Sequence, residues 1–307
     1  MHRPLGSTGI MVSRLCFGTL TIGPFQRNLP LAEGAALVRE ALDRGVCFFD
    51  TAEYYDNYPY LKEGLKGVRE KAVVATKTYA YSREMALASL EKARQELDTD
   101  YLDLFLLHEQ VSELTIRGHW EAFETLLEAK EKGLVRAVGI STHSVQGVLG
   151  ALQFPEIEVI HPLFNMEGIG ILEGGMPEMR EAIRRAHAQG KGVYGMKALG
   201  GGHLSGKAVE ALSFVLSEPA IDAVAVGIGD RSDLADTLAI FEGKAPSSRH
   251  RPRQLAIEDY CEGCGRCVEA CPQGALVLEG GKATLRGECV LCSYCARVCP
   301  DFCLKVY

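Results

Sequence analysis

Along the first 240 or so residues, short apolar runs alternate with stretches whose apolar positions recur at helical spacing. The runs cover 14–19, 46–51, 72–77, 101–108, 135–141, 158–165, 192–199 and 223–228. Each is continuous rather than alternating, as expected of a parallel strand buried on both faces. Between them, Ala86, Leu90, Ala93 and Leu97 share one helical face behind the cap residue Ser82. Trp120, Phe123 and Leu127 do the same before Gly133, Met179, Ile183 and Ala186 before Gly190, and Leu234, Leu238 and Phe241 before Gly243. Helical spacing closed by glycine is a helix with its stop. Eight such units predict an α/β fold, a (β/α)8 TIM barrel over residues 1–245. An open, doubly wound sheet is the alternative, but no Gly-x-Gly-x-x-Gly follows the first run.

The periodicity then stops. Residues 246–255 begin Pro-Ser-Ser-Arg-His-Arg-Pro-Arg and read as a linker, or as an extended arm lying on the barrel. Residues 256–307 form a second, small α+β unit that holds nine of the eleven cysteines, from Cys261 to Cys303. The first set is Cys261-x2-Cys264-x2-Cys267-x3-Cys271-Pro272, and the second is Cys289-x2-Cys292-x2-Cys295-x3-Cys299-Pro300. This tandem resembles the bacterial two-cluster ferredoxins. The resemblance implies that Cys261, Cys264, Cys267 and Cys299 hold one 4Fe–4S cluster, and Cys271, Cys289, Cys292 and Cys295 the other. Zinc is the alternative metal, although its knuckles use two cysteines rather than three and a Cys-Pro. Cys303 has no slot in the pattern and reads as a buried thiol. So small a unit needs its clusters as core, whatever their redox role.

Composition narrows the setting. A net charge of −7 speaks against nucleic acid or an anionic membrane as partner. No apolar run approaches the roughly 18 residues of a membrane span. The start, Met1-His2-Arg3-Pro4, has no apolar stretch, so a cytoplasmic location and reduced, metal-binding cysteines are expected.

A TIM barrel does its chemistry at the C-terminal ends of its strands. Those ends carry Asp50 and Thr51 after the second run, Lys77 closing the third and His108 closing the fourth, with Tyr55 on the loop beyond Asp50. Buried ionisable groups are costly unless paired, and a purely structural Asp–Lys pair is the bland reading. Asp-Thr-Ala-x-x-Tyr, Ala-Thr-Lys and Leu-Leu-His, in this order, resemble the tetrad of the aldo-keto reductases. Arg3-x-Leu5-Gly6-x-Thr8-Gly9, Gly139-Ile140-Ser141 and Met196-Lys197-Ala198-Leu199-Gly200 resemble further segments of that family, in the branch with a ferredoxin-type C-terminal domain. The resemblance implies Tyr55 as general acid on a small carbonyl or alcohol substrate. Lys77 and Asp50 would support it, and His108 would orient the substrate oxygen.

The same resemblance implies NADP(H) or NAD(H) contacts at Gly18, Thr19, Asp50, Ser141, Thr142, His161, Met196, Gly227 and Arg231. Here the pattern is altered. Thr142 stands for the family's Asn, His161 for its Gln, Met196 for the Tyr that stacks on the ring, and Asp236-Thr237 for Glu-Asn near the adenine. Weak nicotinamide binding is therefore expected, with the clusters as a second electron route to a redox partner protein. Two rivals stay open: an electron-transfer protein whose barrel is a docking scaffold, and a reductase whose clusters are structural. Of the remainder, Tyr54, Tyr58 and Tyr60 read as mouth or rim, and Trp120 as packing. His2, His119, His187, His203 and His250 read as surface residues, and Cys16 and Cys47 as core thiols.

Overall fold

Eight parallel strands close on themselves in the computed structural model, which describes residues 2–247, 253–301 and 303–306. A hairpin of β1 (His2–Pro4) and β2 (Met11–Ser13) plugs the N-terminal end. The barrel follows as β3 (Leu15–Gly18), β4 (Phe48–Asp50), β5 (Val73–Thr78), β6 (Leu102–Leu107), β7 (Val135–Thr142), β8 (Val159–Pro162), β9 (Gly192–Gly195) and β10 (Ala223–Gly227). Strand β10 pairs back onto β3, which closes the ring. Every expected run holds one strand; most strands are shorter than their runs, with rim residues such as Leu163 packing as loop, while β5 and β7 each continue one residue further, to Thr78 and Thr142.

Helices α1 (Leu31–Asp43), α2 (Tyr58–Gly64), α3 (Arg83–Leu97), α4 (Glu113–Gly118), α5 (Trp120–Glu131), α6 (Val145–Ala151), α7 (Met176–Ala188), α8 (Ala208–Leu216) and α9 (Arg231–Phe241) surround it. Ser82 caps α3 by accepting from the Met85 amide, as its position predicts.

Alternation along the strands decides which side chains reach the active end. Phe48, Val73, Ala75, Leu104, Leu106, Ala137, Val159 and Tyr194 fill the barrel interior. Two residues further along the same inward rows come Asp50, Lys77, His108, His161 and Met196, and on β7 Ser141 follows Ala137 by way of Gly139. Thr142 has the opposite parity and faces α6. Tyr58 and Tyr60 belong to the helix-side core and not to the mouth, with the Tyr58 hydroxyl on Thr76 Oγ1 at 2.7 Å. Trp120 packs on Phe123 and Phe154, and Cys16 is buried in the interior while Cys47 is half-buried.

The second unit contains α10 (Arg266–Glu269), the hairpin β12 (Leu276–Glu279) and β13 (Lys282–Leu285), and α11 (Tyr294–Arg297). Its outer edge is β11 (Leu255–Ile257), antiparallel to β14 (Leu304–Val306). Its core is made of Cys267, Cys295, Cys299 and Cys303 with Leu276, Ala283 and Leu304. Residues 248–252, the middle of the expected linker, lie outside the described residues, and His250 with them. At the linker's far end Arg253 lies on the barrel, its amide donating to Gly202 O (3.2 Å) and its guanidinium to Gln26 Oε1 (2.7 Å). That contact is the extended-arm alternative.

Candidate active site

Lys77 is 1% exposed, and its ammonium donates to Asp50 Oδ2 (2.8 Å) and the Thr51 carbonyl (2.7 Å). The other Asp50 oxygen accepts from the Tyr194 hydroxyl at 3.0 Å. A buried ion pair is tolerable only when its remaining lone pairs and protons find such partners. The Lys77 ammonium lies 5.1 Å from the centre of the Tyr55 ring, and that ring meets His108 edge-on at 5.8 Å. The structure thus brings Asp50, Tyr55, Lys77 and His108 together.

Burial and then the Asp50 charge push the Tyr55 hydroxyl well above the ordinary tyrosine range, so it rests as the protonated acid. Burial and the Lys77 charge push His108 well below its ordinary value, so its ring is neutral. Its Nδ1 is buried with no partner among the described residues, an orphaned atom that a ligand could meet.

The positions expected to hold a nicotinamide look different. Ser141 Oγ accepts from the Glu109 amide (2.9 Å), and Thr142 Oγ1 accepts from the Ser144 amide (2.9 Å) on the helix side of the barrel. His161 donates from Nδ1 to the Tyr194 carbonyl (2.6 Å) and stacks on the Tyr194 ring at 3.8 Å, with Nε2 turned to Asp50. Burial pushes His161 down to about 3. Thr19 donates to the Asp50 carbonyl (2.9 Å). Gly18 and Gly227 are strand-end glycines facing Val226 and Thr21. Arg231, 77% exposed at its side chain, pairs with Glu40 (2.9 Å), and Asp236 accepts from Ser247. The carboxamide readers and the phosphate candidate are thus already engaged within the chain. These residues do not fit a tightly held nicotinamide.

The cysteines fit their group. Cys261, Cys264, Cys267 and Cys299 line one cavity, and Cys271, Cys289, Cys292 and Cys295 line another. Backbone amides of Ala283, Ala275, Leu291 and Cys303 donate to the sulfurs of Cys261, Cys271, Cys289 and Cys299 at 3.1–3.5 Å. Such donors suit thiolates. The Ser293 hydroxyl at the second cavity is buried without a partner, a donor that an inorganic sulfide would satisfy. Cys303 also lines the first cavity.

The second cavity stands at the barrel mouth. Tyr294, carried on the Cys292-x2-Cys295 loop, packs against Tyr54 (4.8 Å) and Phe25 (5.7 Å). Its hydroxyl reaches those of Tyr55 and Tyr79. Tyr79 in turn stacks on His108 at 4.5 Å and donates to Glu109 Oε2 at 2.6 Å. Sequence reasoning missed Tyr79, Glu109, His143, Gln273 and Tyr294. For Tyr294 the only signal was an aromatic residue inside a cysteine loop. Glu109 and Lys197, held at φ 54° and 56° just past strand ends, carry a strain that no local motif announces. His203, expected at the surface, donates to the Cys289 carbonyl (2.7 Å) and so links the two units.

The comparisons agree with this architecture. The aldo/keto reductase family description matches residues 14–214, and the 4Fe–4S binding domain description matches residues 256–277, the first cysteine run. The oxidoreductase YrpG of Bacillus subtilis is 32% identical over 231 residues, 67% of this chain and 69% of that protein. L-galactose dehydrogenase of Arabidopsis thaliana is 30% identical over 151 residues, 45% of this chain and 47% of that enzyme, so the chain spans about half of it. Among solved structures, PA4992 of Pseudomonas aeruginosa, assigned as an aldo-keto reductase, superposes with a TM-score of 0.67 at 30% identity, covering 78% of this chain and 93% of its own. The chain belongs to the aldo/keto reductase family and carries a 4Fe–4S binding domain behind the barrel. No helix among the described residues is long and apolar enough to cross a membrane.

Proposed function

We propose that the chain is an iron–sulfur oxidoreductase that interconverts a small carbonyl compound and its alcohol, with Tyr55 as general acid and base. The observation that carries this reading is the convergence of the buried Asp50–Lys77 pair, Tyr55 and His108 at one end of the barrel. Reduction adds two electrons and two protons across the C=O bond. Tyr55 gives its proton to the oxygen as negative charge develops there. Lys77, fixed by Asp50 and Thr51, compensates that charge in a site shielded from water. His108 holds the oxygen by a hydrogen bond, and water supplies the proton for carbon.

The electrons come from a one-electron carrier protein; the two cysteine quartets would hold the clusters, which when bound would supply one-electron transfer. The two cysteine quartets around separate cavities support a count of two. NAD(P)H, the family's hydride source, is at most a weak ligand of the residues described above. Single-electron delivery limits the substrate. Such clusters reach down to roughly −700 mV, and an isolated carbonyl takes up one electron only far below that. The substrate is therefore a conjugated carbonyl such as a 1,2-dicarbonyl, whose second carbonyl group spreads the charge of the first electron. Tyr54, Tyr55, Tyr79 and His108 at the mouth offer flat faces to one.

The test is anaerobic turnover of a panel of conjugated and isolated carbonyls by the cluster-loaded protein, driven by a chemically reduced small ferredoxin. Reduction of the conjugated members only, lost in Tyr55→Phe, is expected. Reduction that survives Tyr55→Phe would reject the assignment of the acid.

A further inference from the structure

Loops past β3 (Phe25), β4, β7, β8 and β9, at the C-terminal end of the barrel, meet the iron–sulfur unit. Past β7, His143 Nδ1 lies 2.5 Å from Gln273 Oε1. Past β8, the Gly170 amide donates to Glu288 Oε2 (2.6 Å) and the Gly170 carbonyl accepts from Gln273 Nε2 (2.9 Å). Past β9, a Cβ on Gly201 would stand 1.9 Å from the Val290 carbonyl oxygen, and past β8 one on Gly170 would stand 2.2 Å from Val290 Cγ1. Both glycines have positive φ, 73° and 81°, so backbone shape and absent side chains together admit Val290. Past β4, Arg297 donates to the Tyr54 carbonyl (3.0 Å) and covers the Phe25 ring at 4.5 Å.

Through Val290 these contacts set the iron–sulfur unit on the loops that follow β8 and β9, the strands that lead to His161 and Met196. Val290 is 1% exposed and belongs to the barrel's own core cluster, with Met196 and Cys292 packed against the same cluster. Tyr294 is buried over Tyr55. Below them, Thr142, Ser141 and His161, which would read a carboxamide, already bond Ser144, Glu109 and Tyr194. An open cofactor seat would leave some of these groups unsatisfied, as His108 is left on the other side of the mouth.

We infer that residues 290–294 of the iron–sulfur unit take the seat over β7–β9 that a nicotinamide ring would need, so that unit and dinucleotide exclude one another from the barrel mouth. This rests on the reading of Tyr55 and its neighbours as the reaction centre, since that reading fixes where the ring would lie. It goes beyond that reading in excluding a bound nicotinamide, and with it a hydride donor, from the barrel mouth.

The experiment uses the full chain with its clusters loaded, without oxygen and without any carbonyl substrate. NADPH and NADH are titrated by calorimetry while cluster absorbance is followed. No saturable binding into the millimolar range and an unchanged cluster spectrum are expected for the intact protein. In the variant Gln273→Ala/Glu288→Ala/Arg297→Ala, checked for unchanged iron content, NADPH affinity should rise at least about tenfold, because the lost anchors let the unit lift. Should that variant lose iron, Arg297→Ala alone carries the same expectation. Micromolar, one-to-one NADPH binding to the intact protein overturns the inference. So does an iron-replete variant that binds NADPH no better than the intact chain. Neither result touches Tyr55, whose own variant is read by turnover.

Discussion

The two halves of the barrel mouth are built from the same layer of inward-facing positions, yet they end differently. Over β4, β5 and β6, Asp50, Lys77 and Tyr55 converge under His108, whose buried Nδ1 is left without a partner. Over β7, β8 and β9, Ser141, His161 and the outward Thr142 are closed by Glu109, Tyr194 and Ser144, and another part of the same chain lies on top. A buried polar group left short of a partner costs stability and persists where something else meets it. One half therefore looks built for a ligand. The other looks built for the iron–sulfur unit.

The strongest test of this contrast is removal of the metal. The second unit has only a few apolar residues around its cysteines, whereas the barrel has a complete core. Anaerobic protein should carry about eight iron and eight sulfide per chain. Chelating that iron should abolish hydrogen-exchange protection across residues 255–306 and leave β3–β10 protected. Protection of both units without iron would mean that the clusters are passengers. Cys267→Ser and Cys271→Ser, one turn apart around α10, should damage different clusters, because their sulfurs line different cavities. Loss of the same spectroscopic signal in both variants would reject the crossed sets.

Next in size are the effects on turnover. Tyr55→Phe removes only the hydroxyl, so carbonyl reduction should fall by ~10²–10⁴ with iron content unchanged. Lys77→Met deletes the buried cation and leaves Asp50 with Tyr194 alone as a close partner. Its turnover should fall comparably, and its stability should fall too, because removing one member of a buried pair costs roughly 3–5 kcal/mol. Denaturant melts separate the two variants: Tyr55→Phe should melt near the parent and Lys77→Met well below it.

Much of this architecture is legible in the sequence. The eight apolar runs each form a strand because their pattern is local and strong, and the cysteine spacing puts both quartets around cavities as the ferredoxin resemblance implies. Asp50, Lys77 and His108 can be found because strand ends are set by the runs themselves. The docking of one unit on the other is not legible. Gln273, Glu288, Val290, Tyr294 and Arg297 act across long sequence separations, as for Gly170 and Glu288 at 118 or Tyr54 and Arg297 at 243. No periodicity encodes such contacts. Tyr58 and Tyr60 mislead because a cluster of tyrosines beside Tyr55 looks like a mouth, while helix α2 turns both into the core. Thr142 misleads by one residue of strand parity.

The smallest effect concerns His161, where the family carries Gln. In the fold its ring is buried beside Asp50, Lys77, Tyr194 and His143, and burial holds it down to about 3. Unfolded, it returns to a value near ~6.5. A group depressed in the folded state leaves stability intact above its unfolded value and withdraws it as pH falls, because the unfolded chain takes up the proton first. His161 should therefore remove ~1.4 kcal/mol per pH unit below about pH 6, tailing off towards its folded value. His143, pushed down to about 4 by burial, adds a similar slope over a shorter range. Gln has no proton to take up, so His161→Gln should flatten the acid side by one such slope and leave neutral pH almost unchanged. Denaturant melts of the cluster-loaded protein between pH 5.5 and 7.5, followed by Trp120, the single tryptophan, measure this in the barrel itself. Equal slopes in parent and variant would show that His161 meets water in the folded state. That would place the β8 strand end in an open pocket, and the contrast between the two halves of the mouth would fail at its best-defined residue.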